Sequence, residues 1–129
     1  MPTPSLSPEL VDFWGERHLC SVTTLRGDGS PHVVPMGVVL DADHGLAWAI
    51  TSGTSQKAAN LRRGPDRRVA VCQVDGRRWS TLEGIAEVRD DEESVAEAVR
   101  RYAERYRQPR VNPARVALRI TLTHILGNV

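Results

Sequence analysis

Asp28-Gly29 stands between two runs of alternating, β-rich residues, and this pairing constrains the fold more than any other feature of the chain. Leu19 to Arg26 (LCSVTTLR) alternates polar and apolar positions before the turn, and Pro31 to Leu40 runs back after it. A tight hairpin turn needs residues that tolerate positive φ, and Asp-Gly supplies them, so the two runs are predicted to pair antiparallel. The device recurs at Asp75-Gly76, between Arg68–Asp75 and Trp79–Arg89. Asp41 to Gly45 turns into a third strand, Leu46–Thr51, and Arg115–Leu126 closes the chain with a sixth. Pro35 and Gly37 place a bulge or a sheet edge in the long second strand, and Gly84 a bulge or a close backbone approach in the fifth. Six strands joined mainly by tight turns predict a mainly β, antiparallel barrel, closed or partly closed.

Helices punctuate this pattern. Ser7-Pro8 opens a short one, with serine as N-cap and proline at the first helical position. A short crossover helix is expected from about Ser55 to Arg63, stopping before Gly64-Pro65. Asp90-Asp91-Glu92-Glu93 starts the longest, Glu92–Arg107, because acidic residues suit the positive end of the helix dipole. Val95, Ala98, Val99, Tyr102 and Tyr106 form its apolar stripe, so the tyrosines read as core.

The 129 residues form a single domain, residues 1–129, and a net charge of +1 does not indicate electrostatic binding to nucleic acid or to a membrane surface. Local clusters matter more: Arg62, Arg63, Arg67 and Arg68 form one, and Arg100, Arg101, Arg105, Arg107 and Arg110 another. No apolar run approaches the ~18 residues of a membrane span. Met1 to Ser5 has neither the basic nor the apolar region of a signal peptide. Cys20 and Cys72 lie far apart in apolar runs and read as small hydrophobes in a reducing cytoplasm. His18, His32, His44 and His124 lack ligand spacing, so a bound metal is not expected.

Chemistry concentrates in Thr51-Ser52-Gly53-Thr54-Ser55-Gln56-Lys57, where a strand delivers hydroxyls, a glycine and a lysine to a helix start. The first N–H groups of a helix have no internal partner, so this end suits a phosphate as well as an ordinary cap. The G-x-x-x-x-G-K-[ST] spacing is absent, and no nucleophile–base pattern appears. Glu83 reads as a base or a turn-stabilising residue, and His32 faces either core or ligand. No catalytic residue is assigned; an enzyme built this way takes its chemistry from a cofactor.

The order Thr23-Thr24-Leu25-Arg26-x-Asp28-Gly29-Ser30-Pro31-His32-Val33-Val34, followed by Ser55-Gln56-Lys57-Ala58-x-Asn60-Leu61-Arg62-Arg63, resembles the pyridoxamine-phosphate-oxidase-like split β-barrel superfamily, and within it the B-type deazaflavin-dependent oxidoreductases. Gln73-Val74-Asp75-Gly76-x-Arg78-Trp79-Ser80-x-Leu82-Glu83-Gly84 and Arg101 to Pro113 are similar to the members of that group that reduce biliverdin. The resemblance implies a homodimer of six-stranded split barrels with coenzyme F420 held in a groove between subunits; FMN is the alternative cofactor. It implies a phosphate-binding segment at Thr51, Ser52, Gly53, Ser55, Gln56 and Lys57, with Asn60 following in the helix. His32, Val33, Val34, Pro35 and Met36 match the segment against the deazaflavin ring, although Pro35-Met36 departs from the small apolar residues expected there. Gln73 and Trp79 match positions near the groove, contributed by the second subunit. The implied reaction is hydride transfer to biliverdin or a related conjugated tetrapyrrole, giving bilirubin; such a substrate carries two propionates, with which Arg107 or Arg110 could pair bidentately. A non-catalytic cofactor- or haem-binding carrier shares the same implied fold.

Overall fold

The computed structural model describes residues 6–63 and 66–129. In chain order the elements are α1 (Pro8–Gly15), β1 (Cys20–Leu25), β2 (Pro31–Met36), β3 (Val39–Asp41), a 3₁₀ turn (Ala42–His44), β4 (Leu46–Ser52), α2 (Gln56–Arg63), β5 (Arg68–Asp75), β6 (Arg78–Arg89), α3 (Glu92–Arg105) and β7 (Arg115–Asn128). The readings made at Met1 to Ser5 and at Gly64-Pro65 lie outside the described residues.

All seven strands pair antiparallel in one sheet of order β2-β1-β5-β6-β7-β4-β3. The two edges of that sheet, β2 and β3, are consecutive in sequence and joined only by Gly37 and Val38. Three Cα steps span at most about 11 Å, so the edges are drawn together and the sheet is curled. No ladder links the edges. The single strand expected over Pro31–Leu40 is therefore two strands, and the expected six are seven.

The break has a physical cause. A Cβ on Gly37 would stand 2.7 Å from a ring carbon of Tyr106 and 2.9 Å from one of Tyr102, so the backbone is pressed against α3. Next to it, the Val38 N–H donates to the Tyr106 hydroxyl at 3.3 Å and the Val38 carbonyl accepts from Arg105. Side chains of α3 thus take over backbone groups that a continuous ladder would have paired. Arg105 also donates to the Glu16 carbonyl at 2.9 and 2.7 Å and to Gln73 Oε1 at 2.7 Å, while only 9 % exposed. The Tyr106 hydroxyl donates to the His18 carbonyl at 2.6 Å, and helix α3 stops at Arg105, two residues short of the Arg107 expected.

Local signals read from sequence act as expected elsewhere. Ser7 Oγ accepts from the Leu10 N–H at 3.2 Å, and Asp91 caps α3 by accepting from the Ser94 N–H at 3.0 Å. Gly84 sits at a register shift between β6 and β7, where an added Cβ would collide with the Thr121 carbonyl. Alternation along β1, β5 and β6 sends Val22, Val71 and Leu82 inward, joined by Val38, Leu118 and Ile120 and capped by Trp14 of α1 and Leu61 of α2. A smaller cluster, Trp48, Ala98 and Ala117, seats α3 on β4 and β7. Among the described residues no helix is long and apolar enough to cross a membrane.

Candidate functional site

Strand β4 ends at Ser52 and α2 begins at Gln56, so only three residues, Gly53, Thr54 and Ser55, connect them. Ser55 caps the helix: its Oγ accepts from the Ala58 N–H at 3.2 Å and from the Thr51 hydroxyl at 3.1 Å. Ser52 and Thr54 share a hydroxyl–hydroxyl bond of 3.0 Å, and the Gly53 N–H donates to the Ala114 carbonyl at 2.7 Å. The cap leaves the N–H groups of Gln56 and Lys57 without an intrachain partner among the described residues. Lys57 is the single lysine of the chain and forms no ion pair among those residues. Partial burial pushes its ammonium below the usual lysine range.

Two of the predicted site residues, Asn60 of α2 and Gln73 of β5, face inward. Asn60 is 4 % exposed; its amide donates to Thr24 Oγ1 at 2.8 Å and accepts from the Gln56 amide at 2.7 Å. It pins α2 to β1 and orients Gln56. Gln73 is 1 % exposed, donating to the Phe13 carbonyl at 2.9 Å and accepting from Arg105. Its polar groups are paired inside its own chain, where they hold α1 and α3 together. Trp79, 38 % exposed, stands opposite Val74 on the outer face of the sheet.

The segment His32–Met36 divides by strand alternation. His32, Val34 and Met36 stand opposite Thr24, Val22 and Cys20 and share their inward face; Val33 and Pro35 face outward with Thr23 and Ser21. His32 Nδ1 is enclosed without a hydrogen-bond partner. Desolvation, reinforced by the positive charges of Arg26 and Lys57, holds its pKa below the usual histidine value.

A groove of about 550 Å³ brings together Met36, Thr51 and Ser52 with Arg107 and Arg110. Sequence reasoning missed its other walls. Leu19, Gly37, Ile50 and Tyr102 make an apolar floor, and Arg115 stands at the rim beside Asn112. Tyr102 carries a signal in its helical spacing with Tyr106, a spacing that points to core; its ring centroid is 5.0 Å from that of Tyr106. Arg115 became visible only through its ladder position opposite Ser52. No carboxylate or imidazole lines this groove.

Glu16, His18 and Asp75 offer ligand atoms within 4.8 Å of one another, the kind of cluster sequence spacing does not reveal. Arg78 neutralises it from within, donating to both Glu16 oxygens at 2.7 and 2.8 Å and to Asp75. It is an ion-pair network that ties α1 to the β5–β6 hairpin.

These elements make a mainly β fold: one curled, unclosed antiparallel sheet with three helices, a capped helix N-terminus following β4 and an amphiphilic groove beside it. The pyridoxamine 5'-phosphate oxidase family model matches residues 6–128, and the chain belongs to that family. Within it, the chain is 46 % identical over 126 residues to the F420H(2)-dependent biliverdin reductase of Mycobacterium tuberculosis (strain CDC 1551 / Oshkosh), covering 98 % of this chain and 90 % of that protein. A conserved hypothetical protein of Mycobacterium tuberculosis, Rv2991, superposes with a TM-score of 0.79 at 28 % identity, covering 98 % of this chain and 87 % of its own. An F420 reductase structure superposes with a TM-score of 0.72 at 22 % identity, covering 95 % of this chain and 98 % of its own, and speaks for the fold alone.

Proposed function

We propose that the chain is an F420-dependent reductase whose bound deazaflavin supplies a hydride to the C10 methine of biliverdin, giving bilirubin. The observation that carries this reading is the single groove that joins the Thr51-Ser52 end of the helix-capping segment to Arg107 and Arg110. It is supported by the 46 % identity to a protein named for that reaction.

The residues present fit a phosphate-bearing ring cofactor. Two free N–H groups at Gln56 and Lys57, the helix dipole and an unpaired ammonium would hold the phosphate. His32 Nδ1, enclosed and unpartnered, offers a hydrogen-bonding atom on the same side as Lys57. Edge strand β2, paired only to β1, presents free backbone groups to a heterocycle, with Val34 and Met36 flanking it. The Leu19–Ile50–Tyr102 floor excludes water from a planar apolar ligand, and Arg107 and Arg110 present guanidinium forks to its propionates.

The assembly is a homodimer of split barrels. Val33, Val74, Trp79, Ile85 and Leu126 share the outer sheet face and are 38–63 % exposed, apolar side chains set among Arg68, Glu83 and His124 on a face that a second copy would cover. Trp79 would then reach a groove across the subunit boundary. Titration of the purified protein with F420 and with FMN tests the cofactor: micromolar binding of F420 is expected, and binding of FMN alone would overturn the reading.

A further inference from the structure

Loop 106–114, between α3 and β7, carries Arg107 and Arg110 with both side chains exposed. Long exposed arginines on a loop are poor binding groups unless the loop is fixed, because ordering them costs conformational entropy. This loop is fixed at two points. The Ala114 carbonyl accepts from the Gly53 N–H at 2.7 Å, and Nη2 of Arg115 reaches back to donate to the Arg110 carbonyl at 2.6 Å. Within the loop, the Asn112 side chain accepts from the Ala114 N–H at 3.0 Å, and its carbonyl accepts from the Arg115 N–H at 3.1 Å. Arg115 is half-buried, stands opposite Ser52 in the β4–β7 ladder and lines the same groove as Ser52 and Arg110. None of Arg107, Arg110 and Arg115 forms a salt bridge with a carboxylate among the described residues, so the rim holds three uncompensated cations.

We infer that Arg115 is a positioning residue that locks the Arg107–Arg110 loop into a carboxylate clamp over the groove and couples that clamp to the Ser52 segment. The inference rests on the reductase reading for its ligands. Two carboxylate sources fit the clamp: the propionates of a tetrapyrrole and the glutamate tail of F420.

The test measures binding in two arms, for the wild type and for Arg115→Ala. One arm compares biliverdin with its dimethyl ester; the other compares F420 carrying a long glutamate tail with F420 carrying a single glutamate. The expected result is a loss of about tenfold, the effect of one charged hydrogen bond, for the carboxylate-rich ligand of one arm, with its ester or short-tailed counterpart unchanged. The arm that responds names the source. Arg115→Lys, which keeps the charge and one donor but not the fork, should recover part of the loss. If the alanine variant does not fold, the lysine variant carries the same comparison with a smaller loss. Equal losses for both ligands of an arm, or no loss in either arm, would overturn the clamp. Wild-type protein that discriminates the ligands but does not reduce biliverdin would contradict the redox reading and leave the clamp standing.

Discussion

Asn60 donates its side-chain amide to Thr24 Oγ1 at 2.8 Å, and both residues are almost wholly buried. This bond sets the position of α2 on β1, and through the Gln56–Asn60 bond it sets the side chain that opens the helix. Asn60→Ala leaves the Thr24 hydroxyl and the Gln56 amide without partners, so the expected cost in urea unfolding is about 1–3 kcal/mol. F420 affinity should fall as well, because Gln56 loses its orientation. A variant of unchanged stability would show that the bond does not hold the helix.

Lys57→Ala should weaken F420 binding by about 1–3 kcal/mol, the range for losing the partner of a charged group, while leaving the melting temperature near that of the wild type. Because Lys57 is the single lysine, acylation followed by peptide mass spectrometry gives an independent check. Bound F420 should protect that peptide. Unprotected Lys57 would reduce the segment to an ordinary helix cap.

Arg105 holds three carbonyl-type oxygens at the place where the chain crosses between the sheet edges. Arg105→Ala strands those acceptors and leaves a cavity beneath Trp14 and Tyr106, so a loss of about 3 kcal/mol or more is expected. Lysine should not rescue it, since one ammonium cannot reproduce the fork that spans Glu16, Val38 and Gln73.

Acid should weaken the fold in a defined window. The Arg78 guanidinium, with His18 beside it, holds the Glu16 carboxyl down to about 2, and the Ser94 hydroxyl and N–H hold Asp91 to about 2. Folded-state values below the unfolded ones mean stabilisation that is complete above about pH 4.5 and is lost as pH falls toward 2. The melting temperature should drop across that range, and Arg78→Ala together with Asp91→Asn should flatten the slope. An unchanged slope would show that these carboxylates are not coupled to folding.

Ile85→Arg places a second charge beside Arg68 on the exposed outer sheet face. Sedimentation should show the wild type as a dimer and the variant shifted to monomer with its far-UV spectrum retained. A monomeric wild type would remove the proposed subunit boundary.

Much of this was legible in the residues, because turns and caps are local chemistry. Asp28-Gly29 and Asp75-Gly76 mark real hairpins, Ser7 and Asp91 are real caps, and Gly84 is a real bulge. The break at Gly37-Val38 was not legible, since it depends on Tyr102, Tyr106 and Arg105 arriving from a helix more than sixty residues away. For the same reason, the interior hydrogen bonds of Gln73 to Phe13 and of Asn60 to Thr24 were not legible, since their partners are distant in sequence. Thr51, Ser52, Arg107 and Arg110 were legible as two separate anion-binding features. That they share one groove, with Arg115 between them, is a property of the β4–β7 ladder.

The central claim is hydride delivery in this groove, and isotope transfer tests it most directly. Reduced F420 carrying deuterium at both C5 positions is mixed anaerobically with the protein and biliverdin, and the product is analysed by mass spectrometry. The account predicts bilirubin bearing one deuterium at C10, formed at a rate that falls in Lys57→Ala. Absence of bilirubin, or bilirubin without the label, would contradict it.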